Sequence, residues 1–106
     1  MAVKVLGQAI PAAATLTGLY TVPGATTAVV STLYACNQGS SVAKIRVSVA
    51  VAGAADATYQ YIAFDQPIPA GRTWRETTGI TLGATDVLRV QSDTGLVSFN
   101  AFGDAS

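Results

Sequence analysis

Histidine is absent from this chain of 106 residues, cysteine, methionine and tryptophan occur once each, and only 11% of the residues are charged. Without histidine there is no Ser-His-Asp triad and no Cys-His pair, and one cysteine cannot build a zinc cluster. Six basic and six acidic side chains leave a formal net charge of zero. No basic face is therefore available to hold phosphates, and free nucleic acid is a poor partner. Neither GLYTVPG nor GITLGATD carries the GxxxxGK spacing of a phosphate cradle. No cofactor, metal or catalytic residue is assigned.

Long hydrophobic runs are missing as well. A membrane span needs about 20 predominantly apolar residues, and Pro11, Gly18, Pro23 and Gly24 interrupt every candidate window. The opening MAVKVLGQAI breaks after Leu6 at Gly7 and Gln8, too soon for the core of a signal peptide. The expectation is a protein made and kept in the cytoplasm until assembly. No window of a dozen residues keeps helical spacing free of Gly, Pro or β-branched runs.

What is present is apolar and β-prone. Half of the residues are hydrophobic, and the length suits one domain near the size at which association with partners often adds stability. Ordinary domains carry charge on roughly a quarter of their residues, so part of this surface is expected to be covered. Between Lys4 and Lys44 there is no charged side chain at all. That asymmetry predicts an N-terminal half packed against something and a C-terminal half facing water.

Strand signals recur between turn signals. From Ala28 to Cys36, within ATTAVVSTLYACN, the residues are β-branched and aromatic and read as a strand that ends at Asn37-Gln38-Gly39-Ser40-Ser41. The next stretch alternates, with Ile45, Val47, Val49 and Val51 on one face and Lys44, Arg46, Ser48 and Ala50 on the other, closing at Gly53. These two strands read as a hairpin. Further strands are expected over Thr15–Val22, Tyr59–Gln66, Thr73–Thr77, Val87–Ser92 and Leu96–Phe102, each bounded by Gly, Pro or Asp-containing turns. An N-terminal arm, residues 1–14, either adds an eighth strand through Val3–Ile10 or reaches a neighbour. Seven short strands in residues 15–106, or eight with the arm, argue a single all-β domain, an antiparallel β-sandwich of jelly-roll or immunoglobulin-like type.

Candidate sites are few. An Asp65–Glu76 pair is arithmetically able to serve a glycosidase, but such acids ordinarily sit solvated on turns and strand faces. Asp86 and Asp93 fall in ATD and SDTG, where Asp bonds nearby backbone. Cys36 reads first as a small buried hydrophobe and second as an intermolecular thiol. Phe64, Phe99 and Phe102 read as core, and Tyr59, Tyr61 and Trp74 as half-exposed rings. An exposed Trp74 flanked by Arg72 and Arg75 would have the composition of an interface hot spot. Val3, Val5, Leu6 and Ile10 are the candidates for edge pairing or arm exchange.

The ordered strings LYTVPGATTAVVSTLYACN, AKIRVSVAVAG, YQYIAFDQPIPAG and GITLGATDVLRVQSDTGLVSFNAFG resemble the small structural proteins of tailed bacteriophages, including phages of cyanobacteria and other aquatic bacteria. The resemblance covers roughly residues 16 to 103. Its most specific pieces are Tyr20-Thr21-Val22-Pro23, Cys36-Asn37, Tyr61 to Asp65, Val97 to Asn100, and Phe102-Gly103. It implies a β-sandwich on the exterior of a virion, assembled in the host cytoplasm, with coat or tail proteins and sister copies as partners, and it brings no catalytic residues. The chain has neither heptads nor repeats for a fibre stalk, which argues against a lone fibre; a compact, low-charge sandwich suits a capsid decoration, or cement, protein slightly better than a tail-fibre or baseplate-associated adaptor. A carbohydrate-binding module using Trp74 and the tyrosines to stack on host glycans is the competing class.

Overall fold

The computed structural model describes residues 3–106. Its strands are β1 (Val3–Ala9), β2 (Thr17–Thr21), β3 (Ala28–Asn37), β4 (Ala43–Ala50), β5 (Tyr61–Ile68), β6 (Thr73–Glu76), β7 (Ile80–Leu82), β8 (Val87–Ser92) and β9 (Val97–Ala105). Single 3-10 turns at Val51–Gly53 and Thr58–Gln60 are the only helical pieces among the described residues, and no helix there is long and apolar enough to cross a membrane.

The strands form two antiparallel sheets, β1-β9-β3-β6 with β7 also on β3, and β2-β8-β4-β5. The pairings β1/β9, β2/β8, β3 with β6 and β7, and β4/β5 nest inside one another. The chain is thus one long hairpin with its tip at residues 51–60, rolled so that β9 also meets β3 and β8 meets β4. Among the sandwiches expected, this strand order is that of a jelly roll. Nine strands appear rather than seven or eight because the partner of β3 is broken. The Glu76 carboxylate accepts from the Thr78 N–H and hydroxyl, Gly79 turns at φ +85°, and Ile80–Leu82 resumes as a separate strand.

The hairpin expected from β3 and β4 does not form. Both edges of β3 are taken by β9 and by β6 with β7, and both edges of β4 by β8 and β5. Residues 38–42 instead cross between the sheets. Asn37, 1% exposed, holds the crossing by donating its side-chain amide to the Ser41 and Ile68 carbonyls and accepting from the Gly39 N–H.

The core lies between the sheets. Val30, Leu33, Ala35, Phe99 and Ala101 from one sheet meet Ile45, Val47, Ile68, Leu88 and Val90 from the other, all buried. Each fully buried Leu, Ile, Val or Phe stabilises the fold by roughly 1.5–3 kcal/mol of transfer free energy. The expected alternation in β4 stops at its end. Val51 leaves the strand and is exposed, while Ser48 and Ala50 on the polar face are buried. Residues 51–60 cause this by folding back over that face, held by Arg89, which donates to the Ala54 and Gly53 carbonyls, and by Gln60, which donates to the Ala55 carbonyl.

The segment expected as an N-terminal arm is β1, paired along β9 from Val3/Asp104 to Ala9/Phe99 with a bulge between Val5 and Gly7. Leu6 and Ala9 pack on the core. Gly7 is required there, since a Cβ would lie 2.2 Å from the Leu19 carbonyl oxygen of β2.

Candidate interaction faces

The outward surface of the β1-β9-β3-β6 sheet is built by strand alternation and register. Inward residues of β3 and β9 leave Val29, Thr32, Tyr34 and Cys36 facing out beside Ser98, Asn100 and Phe102. β1 extends this surface with Val5 opposite Phe102 and Gln8 opposite Asn100. Val3 is 70% exposed, Val5 50% and Val29 43%. The Tyr34 ring meets the Phe102 ring edge to face at 5.8 Å, and Gln8 donates to Asn100 at 2.7 Å. Polar residues here are mostly neutral, with Arg75 opposite Tyr34 on β6 and Asp104 on β9 between Val3 and Val29.

Of the residues proposed from sequence for contact, Val3 and Val5 lie on this surface. Ile10 is exposed just past β1. Leu6 faces the core and is unavailable. Trp74 also packs against the core, and strand alternation puts Arg75 on the opposite face of β6, so the Trp74 patch with Arg72 and Arg75 does not assemble. Cys36 is a free, half-buried thiol on the outward face rather than a core residue, because its neighbours Ala35 and Asn37 take the inward positions.

A second cluster occupies the outward face of the other sheet at its β5 edge. Phe64 and Asp65 form a bulge opposite Arg46, between the Ile45/Gln66 and Val47/Ala63 pairs. That bulge turns Phe64 out of the core position expected for it and leaves it 58% exposed. The Arg46 guanidinium lies 4.0 Å from the centre of the Phe64 ring and donates to both Asp65 carboxylate oxygens at 2.7 and 3.3 Å. Tyr61 meets Phe64 in a T-shaped contact with ring centres 5.3 Å apart, and its hydroxyl donates to Asp56 at 2.9 Å. Asp65 has φ +53°, a left-handed conformation costing a non-glycine residue roughly 1 kcal/mol or more.

The charges in this cluster shift one another. The hydrogen bond from Arg46, aided by the positive charges of Arg46 and Lys44, holds the Asp65 carboxyl below its ordinary value of 3.8 against a smaller opposing effect of burial. Burial, then the hydrogen bond to Asp56, pushes the Tyr61 phenol above its ordinary 10.0. Asp65 is committed to Arg46, and Glu76 lies on the other sheet bonded to Thr78, so the two acids do not form a pair. The Asp86 carboxylate accepts from the Gly83 and Ala52 N–H groups, and that of Asp93 from the Lys44 N–H. Among the described residues no three His, Cys, Asp or Glu side chains converge.

Arg46 and Val29 are not singled out as contact residues by sequence reasoning, and Phe64 and Phe102 read first as core. The legible signal for Phe64 was YIAFDQPI itself, in which alternation fails at Phe64-Asp65. No family model matches the chain, and no curated protein or solved structure matches it either.

Proposed function

We propose that the chain is a non-enzymatic structural subunit on the exterior of a tailed-phage virion, a capsid decoration protein in preference to a tail or baseplate component. Its action is association, burying the outward face of the β1-β9-β3-β6 sheet against sister copies and coat protein. The observation that carries this reading is the group of exposed Val3, Val5, Val29 and Tyr34 gathered with Phe102 on one sheet face, where Asp104 lies between Val3 and Val29 and Arg75 lies beside Tyr34. Contiguous apolar patches of a few hundred Å² on small domains mark interaction sites.

Size supports the same reading. With strands about 4.8 Å apart and outward residues about 7 Å apart along each, this face covers on the order of 500 Å². Two such faces together reach about 1,000 Å², the lower bound of a specific interface. Jelly rolls serve capsids and lectins alike, so the fold by itself does not choose the role, and the likeness of the residue strings to phage structural proteins supplies the virion setting. Gold-labelled antibody against the chain, applied to intact particles and viewed by negative-stain microscopy, tests it. Label spread over heads is the expected result. Label confined to tails moves the function to the adaptor reading, and unlabelled particles overturn both.

A further inference from the structure

We propose that the outward face of the β2-β8-β4-β5 sheet carries, at Phe64, a binding site for a neutral saccharide. This goes beyond the assembly reading and uses the opposite face of the sandwich. Phe64 has one ring face against the Arg46 guanidinium, meets Tyr61 in a T-shaped contact, and keeps more than half of its surface in water. A ring held in this way presents a fixed apolar surface, which suits the C–H face of a pyranose and costs little conformational entropy on binding.

Hydrogen-bonding groups stand around that ring already oriented. Arg46 and Asp65 hold each other through two bonds, yet their side chains remain 32% and 46% exposed. The pair therefore offers donor N–H groups and acceptor oxygens side by side, the arrangement that two neighbouring hydroxyls of a sugar require, one accepting from Arg46 and one donating to Asp65. Asp56 and the Tyr61 hydroxyl form a second polar pair beside the rings. Lys44 and Arg46 balance Asp56 and Asp65, so the cluster has no net charge to attract an ionic ligand. The left-handed backbone of Asp65 is what aims its carboxylate back at Arg46 instead of leaving the strand to continue regularly. Trp74, packed on the core, has no part in this site.

The test is amide chemical-shift mapping of the isotope-labelled full chain with the methyl glycosides of glucose, galactose, mannose and N-acetylglucosamine, and with N-acetylneuraminate and glucose 6-phosphate as charged controls. Saturable shifts confined to residues 44–46, 56 and 61–66 with at least one neutral glycoside are expected. Phe64→Ala should weaken that binding about tenfold or more, and Phe64→Tyr should retain it; the same spectra report whether each variant is folded. The proposal is overturned by no saturable shift with any neutral glycoside, by shifts centred on the opposite sheet, by binding of the charged sugars alone, or by a folded Phe64→Ala that binds as well as the parent chain. Particle labelling does not bear on these outcomes, and their failure leaves the assembly reading standing.

Discussion

Gly103 lies in β9 where β3 bulges between Val30 and Thr32, and a Cβ at this position would sit 1.9 Å from the Val29 carbonyl oxygen. Backbone on backbone leaves no flexible atom to yield. Gly103→Ala is expected to destabilise the fold by about 3 kcal/mol or more, read as a lower urea midpoint. Gly24→Ala, with nothing within 4 Å of its Cβ, should change it by less than about 0.5 kcal/mol. At Asp65 the folded-state carboxyl is lowered, so its contribution is fully present above the ordinary value of 3.8 and lost as pH falls through the folded-state value beneath it. Denaturation midpoints measured from about pH 5 to pH 2 should therefore fall less steeply for Asp65→Asn than for the parent chain. Because the group is exposed, the difference is small. Identical slopes would show that the Arg46 pair has no energetic weight.

At the scale of elements, β1 decides how the sandwich closes. It covers one edge of β9, brings Leu6 and Ala9 onto the core, and places Gly7 against Leu19 of β2. Removing residues 1–9 would expose those contacts and leave the hydrogen-bonding groups of β9 unpaired along one side. A loss on the order of 3 kcal/mol is expected, seen as a fall in Tm of roughly 10–20 °C by circular dichroism. An unchanged Tm would make β1 the detachable arm that its position in the sequence suggests. The other edges carry their own interruptions, Gly18 in β2, the bulge and Pro67 in β5, and the break between β6 and β7. Such features discourage uncontrolled edge pairing, which is why association is assigned to a sheet face.

For the whole molecule, that face sets the state of assembly. Val29→Asp combined with Tyr34→Asp places two like charges where apolar surface has to meet another copy or a coat subunit, without touching the buried core. Light scattering should show the parent chain self-associating as its concentration rises and the double variant remaining monomeric with an unaltered circular dichroism spectrum. Equal behaviour of the two would remove self-association through this sheet. The saccharide site lies on the opposite sheet, so a copy bound through Val29 and Tyr34 leaves Phe64 free to face solvent.

The all-β class, and β4 as a strand with Ile45 and Val47 inward, were legible from alternation and turn residues alone, because each depends only on near neighbours in the chain. Strand partners were not. Asn37-Gln38-Gly39-Ser40-Ser41 reads as a hairpin turn, and only the capture of both β3 edges by distant strands makes it a crossing between sheets. The fates of the aromatics were decided at the same level. Trp74 turns inward and Phe64 outward because of the register of β6 on β3 and the bulge of β5 on β4, and a one-residue change of register exchanges the faces of a strand. Composition determined that this surface is poor in charge; the rolled hairpin alone determined that Val3, Val5, Val29 and Tyr34 share the face of one sheet and the Arg-Asp-aromatic cluster that of the other.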